Sequence, residues 1–183
     1  MQNSITNFIS YLRDERKYSP HTLSGYLLDL KEYAGFLKDN SLGHLAISRN
    51  LARIFLVKLE GNKSSRKSIA RKISCLRSFY RYLVKEKKTA KNIWKAVSIP
   101  KIERKLPSFL YEEEIADLLG AVDIKTPPGM RDKAILEMLY ASGMRVSEVT
   151  KLNLSDIDAE SGEILVMGKG SKERVVLIGS YAK

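Results

Sequence analysis

Ala141-Ser142-Gly143-Met144-Arg145-Val146-Ser147-Glu148 is the stretch whose reading decides this fold. Just ahead of it, 131–141 carries Ile135, Leu136, Met138, Leu139 and Tyr140 at helical spacing, which predicts a helix with these residues mostly buried. Gly143 ends that helix, and Val146, Val149 and Leu152 continue as a new one. Arg145 therefore stands near a helix N-terminus, where backbone N–H groups favour an anion. Glu148, three residues on, shares its face. Downstream, Ile164-Leu165-Val166-Met167 and Val175-Val176-Leu177-Ile178 flank the turn Gly168-Lys169-Gly170-Ser171-Lys172-Glu173-Arg174. Two short β-rich runs around such a turn predict a hairpin. Helices followed by a hairpin make this part of the chain α+β.

These residue types suit phosphate chemistry. A phosphodiester under attack gathers negative charge on its non-bridging oxygens, and a planar arginine holds two of them in a way lysine does not match. Arg145 is the candidate clamp, and Glu148 the candidate for orienting it. Lys169, on a long stem at a hairpin tip, is suited to give a proton to a leaving oxygen. Taken singly, an Arg-x-x-Glu pair is an ordinary surface ion pair and a Gly-Lys-Gly tip is an ordinary turn. Their order and their company favour the phosphate reading.

That company is a basic helical half. The chain has 183 residues and a formal net charge of +11. Residues 1–100 hold 20 Lys and Arg against 7 Asp and Glu, while residues 101–183 hold 12 against 14. A charge so lopsided is the footprint of a polyanion binder. Ile5, Phe8, Ile9 and Leu12 space a first helix. Ser19-Pro20-His21-Thr22 then opens a second, whose stripe runs from Leu23 to Leu37 before Asp39-Asn40. Leu51, Ile54, Phe55 and Leu59 give a third, closed by Gly61-Asn62. In the fourth, Ile69, Ile73, Leu76, Tyr80 and Leu83 form the buried stripe, surrounded by Arg66, Lys67, Arg71, Lys72, Arg77 and Arg81 as candidate DNA contacts. A short fifth helix fits 93–97.

The segment 99–108 is bracketed by Pro100 and Pro107, which disfavour helix and keep the chain extended. It is the predicted linker between a domain at 1–98 and a second at 109–183, which opens with Glu112-Glu113-Glu114 at a helix start. With one cysteine, Cys75, no internal disulfide forms, and two histidines make a zinc site of the usual ligand count unexpected. No signal peptide or bilayer-spanning run is evident. A cytoplasmic, reducing setting is expected, with no metal, no cofactor and no membrane partner.

At this point the sequence resembles the tyrosine recombinases, or phage-type integrases, most nearly their Xer branch. The likeness extends over essentially the whole chain. Residues 18–30 look like the opening of that family's core-binding domain, and 68–80 like its DNA-facing helix. Residues 131–148 resemble the first catalytic-arginine box, and 168–174 the hairpin bearing the catalytic lysine. The resemblance implies a mainly α fold: a SAM-like bundle of four to five helices, then the N-terminal part of an α+β catalytic domain. It implies site-specific DNA recombination through a 3′-phosphotyrosyl intermediate, in chromosome-dimer resolution or DNA integration, by a homo- or hetero-tetramer on double-stranded DNA. Arg145 would then stabilise the pentacovalent phosphate, Glu148 would support that pocket, and Lys169 would be the general acid. Lys172 and Arg174 would touch phosphates nearby. The family also uses a His-x-x-Arg box, a later His or Trp, and a nucleophilic tyrosine, none of which these residues supply. His21 and His44 fall in the first domain, and Tyr181 follows the hairpin too closely to be the nucleophile. Tyr111 stands where the family often places a Ser or Thr cap. The chain is therefore expected to be a piece of a complete recombinase that binds DNA without cutting it. The alternative is a natural short protein that occupies recombination sites without catalysis; a type IB topoisomerase is a weaker contender.

Overall fold

The computed structural model describes residues 1–45, 48–102, 106–168 and 173–179. They divide into two compact units, Met1–Lys105 and Leu106–Lys183. The first is a helical bundle of α1 (Gln2–Asp14), α2 (Pro20–Asp39), α3 (Arg49–Gly61) and α4 (Arg66–Lys85), with a 3₁₀ turn at Ile93–Ala96. Serine caps begin three of these helices: Ser19, Ser48 and Ser65 accept the backbone N–H of Thr22, Leu51 and Ser68. Each such cap contributes about 1 kcal/mol. The fifth helix expected at 93–97 is this single 3₁₀ turn.

Helix α4 is the spine of the bundle, burying Ile69, Ile73, Leu76, Phe79, Tyr80 and Leu83 along one face. Around it lies an aromatic cluster in which Tyr33 meets Phe55 at 5.0 Å and Trp94 at 5.6 Å, both edge-on. Edge-to-face pairs of this kind add about 0.5–1.5 kcal/mol each beyond area burial. The Tyr80 hydroxyl donates to the His44 carbonyl at 2.8 Å, which leaves its oxygen to accept from Tyr33 at 3.3 Å. Burial pushes the Tyr33 phenol up to about 12.

The second unit contains α5 (Glu112–Gly120), α6 (Pro127–Ser142), the single turn α7 (Val146–Val149), and an antiparallel sheet of β1 (Ile157–Asp158), β2 (Glu163–Met167) and β3 (Glu173–Leu177) in that order. In the β2–β3 register Val166 faces Arg174 and Met167 faces Glu173. Gly143 closes α6 at φ +62°, in the left-handed region that glycine adopts without strain, and its N–H bonds the Leu139 carbonyl. The chain is thus released into the extended Arg145 that starts α7.

Four expectations need correction here. Helix α6 begins at Pro127, ahead of Arg131, because Thr126 caps it and Pro127 and Pro128 occupy the first turn, where no N–H is required. Gly129 in that turn lets the Asp123 carbonyl approach, since a Cβ there would lie 1.7 Å from it. The stripe expected to be mostly buried in α6 is only half-buried, and Tyr140 is 58% exposed. The core of this unit is small, built on Met144, Ile164, Val166 and Ile178, and Met138 is the residue of the α6 stripe that packs against it among the described residues. Helix α7 stops after one turn, with a 3₁₀ turn at Leu154–Asp156 following it, so Leu152 lies beyond the helix. Strand β1 was not foreseen; two residues carry no readable alternation.

Candidate phosphate site and nucleic-acid interface

Glu148 is the centre of the site. Its side chain is 5% exposed, while that of Arg145 is 64% exposed. The Glu148 carboxylate accepts four hydrogen bonds. Oε2 takes the backbone N–H of Arg145 at 2.8 Å, and Oε1 takes the Arg145 Nη1 at 2.9 Å. Arg174 adds a two-point fork, Nη1 to Oε1 at 2.8 Å and Nη2 to Oε2 at 2.9 Å. Glu148 thus caps α7 from inside and holds Arg145 by both backbone and side chain, as an orienting carboxylate should.

The bonds from Arg174, then from the Arg145 backbone and side chain, hold the Glu148 carboxyl well below the usual carboxylate range, against the opposing effect of burial. A depressed folded value stabilises the native state above the ordinary 4.5, and that contribution fades as pH falls below it. Acidification below about pH 4.5 should therefore loosen the second unit, and Glu148→Gln should flatten that acid limb. Backbone amide spectra of β2 and β3 recorded against pH would check this. An unchanged acid limb in the variant would assign it to other carboxylates.

Lys169, Lys172 and Tyr181 lie outside the described residues. Arg174 is described, and its place differs from the one its sequence suggested. It was expected on phosphates, yet both terminal nitrogens of its guanidinium are bonded to Glu148. The spacing of 26 residues between the two gives no local signal.

On α4 the structure separates cations that the sequence grouped together. Lys67, Arg71, Ser74, Ser78, Arg81 and Lys85 follow one another at three- and four-residue steps on the side away from the buried stripe. Lys67, Arg81 and Lys85 are exposed there, and so is Arg66 at the helix start. Lys72 is turned inward, 9% exposed, bonding Asp29 at 3.1 Å and also Glu32. Arg77 reaches the carbonyls of Trp94 at 3.2 Å and Val97 at 2.7 Å, tying the 3₁₀ turn to α4. Lys72 and Arg77, expected among the outward cations, are instead bonded to oxygens of the bundle itself, and helical periodicity puts both at the edge of the buried stripe. Arg71 is exposed as well, but it is bonded to Asp29 and to the Gly25 carbonyl.

Comparison with known proteins agrees with this architecture. The phage integrase N-terminal SAM-like domain matches residues 5–87, and the phage integrase family matches residues 108–183. The chain belongs to the phage integrase family of tyrosine recombinases. The tyrosine recombinase XerC of Oceanobacillus iheyensis is 46% identical over 98% of this chain and 59% of its own length. That of Bacillus subtilis is 40% identical over 100% of this chain and 60% of its own length. The chain thus spans about 60% of the curated relatives it matches. Among solved structures, a lambda integrase (75–356) dimer bound to a COC′ core site aligns with a TM-score of 0.78 at 18% identity, covering 100% of this chain and 64% of that one. The XerH recombinase bound to its difH substrate aligns with a TM-score of 0.62 at 23% identity, covering 97% of this chain and 53% of that one. At these identities the likeness is one of fold, which is the mainly α, SAM-like and α+β arrangement the sequence predicted. Among the described residues, no helix is long and apolar enough to cross a membrane.

Proposed function

We propose that this chain is the DNA-holding part of a site-specific recombinase of the Xer type, with a cytoplasmic setting. The observation that carries the reading is the Glu148 carboxylate holding an outward-facing Arg145 in a unit joined in sequence to a basic helical bundle. Residues 1–98 bind duplex DNA, the outer face of α4 facing its phosphates through Lys67, Arg81 and Arg66, with Arg71 as a partial contributor. Residues 99–108 link them to 109–183, which bring Arg145 to the reacting phosphate.

In the reaction a tyrosine attacks the phosphodiester, the phosphorus passes through a pentacovalent state, and the 5′ oxygen leaves with a proton. Arg145 stabilises the charge that develops on the non-bridging oxygens, where a planar guanidinium is strongest. Glu148 fixes its direction in advance, so no reorganisation is needed at the moment of reaction. Lys169 gives the proton to the departing oxygen, and Lys172 lies beside the same phosphates. The whole protein works as a tetramer on paired sites, in chromosome-dimer resolution ahead of integration. Among these 183 residues no His-x-x-Arg box occurs, and the task proposed for this stretch is to hold DNA.

The test is to mix the chain with duplex carrying a recombination site and run the product under native and denaturing conditions. A shifted band that disappears on denaturation is expected. A denaturant-resistant adduct would overturn the assignment of the nucleophile to other residues, and no shift at all would remove the DNA-holding role.

A further inference from the structure

We propose that Arg174 is a positioning residue: by forking onto Glu148 it completes that carboxylate's bonding and leaves Arg145 free to meet a phosphate. This deepens the recombinase reading and rests on it. The argument begins with what Glu148 would do otherwise. A nearly buried carboxylate with one arginine beside it takes that arginine in a two-point pair, the geometry such groups prefer. Arg145 would then be turned inward and its charge largely cancelled. Here the two-point partner is Arg174. Arg145 reaches Glu148 through Nη1, and among the described residues its Nε and Nη2 have no partner of their own. Two guanidinium groups on one carboxylate leave one positive charge in excess, and the more exposed arginine presents it: 64% for Arg145 against 37% for Arg174.

The arrangement also links backbone elements. Arg174 sits in β3 opposite Val166, which is 2% exposed in the core of the unit. Glu148 sits in α7 and bonds the backbone N–H of Arg145. A rigid path therefore runs from the core through β3 and Arg174 to Glu148 and Arg145.

Two readouts on the intact chain test this. The first is the titration of the Glu148 carboxyl by side-chain carbon resonances, in the native sequence and in Arg174→Ala, Arg174→Lys and Arg145→Ala. Arg174→Ala should raise the Glu148 value furthest toward 4.5, because the Arg174 bond is the largest of the effects lowering it, and Arg145→Ala should raise it less. Arg174→Lys, one ammonium in place of a fork, should fall between the native chain and Arg174→Ala, and it serves should the alanine variant not fold. The second readout is the dependence of duplex affinity on salt. A positioning residue changes the slope of log affinity against log salt only through Arg145, so adding Arg174→Ala to Arg145→Ala leaves the slope where Arg145→Ala alone put it, whereas a phosphate contact of Arg174's own removes about 0.9 more. A Glu148 titration unmoved in the Arg174 variants overturns the proposal, and so does a further drop of about 0.9 in slope when Arg174→Ala is added to Arg145→Ala. The titration needs no DNA. A chain that failed to bind duplex would sink the recombinase reading and leave the Arg174 result standing.

Discussion

Between about 50 and 200 mM salt, affinity of the chain for duplex DNA should fall roughly 10³–10⁵-fold, the loss expected when ~6–10 phosphates are neutralised. The basis is the distribution of charge: 20 cationic side chains against 7 anionic ones in residues 1–100. Several of those 20 are not available. Lys72 and Arg77 are bonded inside the bundle, and Arg71 is bonded to Asp29. Substitution should sort them. Lys67→Ala and Arg81→Ala should each lower the salt slope by about 0.9 and weaken all duplex sequences alike. Arg77→Ala should leave the slope alone and lower the melting temperature, since it strands the carbonyls of Trp94 and Val97. A flat affinity across this salt range would end the DNA-holding reading. A slope that fell only in Arg77→Ala would reverse the division made here between outward and inward cations.

That division marks where the sequence stops being readable. Element positions came through where a local signal existed: Ser19 with Pro20 as a helix start, Gly143 as a stop, and two β-rich runs around a turn for β2 and β3. The arginine box was legible for the same reason, because Arg145 and Glu148 are three residues apart on one turn. The roles of Lys72, Arg77 and Arg174 were not. Each depends on a partner far along the chain: Asp29 at 43 residues, Val97 at 20 and Glu148 at 26. Composition marks such residues as cations, and only the fold decides whether a cation meets solvent or an internal oxygen. The half-exposed α6 is a related case, since a 3.6-residue stripe states which face is apolar but not how much of the unit covers it.

Asp29→Ala should be the most damaging single change in the first unit, costing about 3–5 kcal/mol and lowering its melting temperature by roughly 12–40 °C. Asp29 is 1% exposed and accepts from both Arg71 and Lys72. Burial alone would favour a neutral Lys72, but its bonds to Glu32 and Asp29 outweigh that and hold the ammonium above its ordinary pKa. Removing Asp29 leaves that charge buried with Glu32 as its remaining partner. The single tryptophan, Trp94, lies fully buried in this unit, so its fluorescence reports the unfolding of the bundle. Asp29→Ala combined with Lys72→Met should recover part of the loss, because an apolar pair of similar volume carries no desolvation cost. If the double variant melts no higher than the single one, the cost came from packing and not from the stranded charge. The same substitution also separates the two tasks of α4. Freed from Asp29, the already charged Arg71 guanidinium loses its neutralising partner and is available on the outer face beside Lys67 and Arg81. Below its melting temperature, Asp29→Ala should therefore bind duplex with a salt slope at least as steep as the native chain. A less stable protein that holds DNA no less strongly would show that the buried ion pairs serve the bundle and the outer cations serve the DNA.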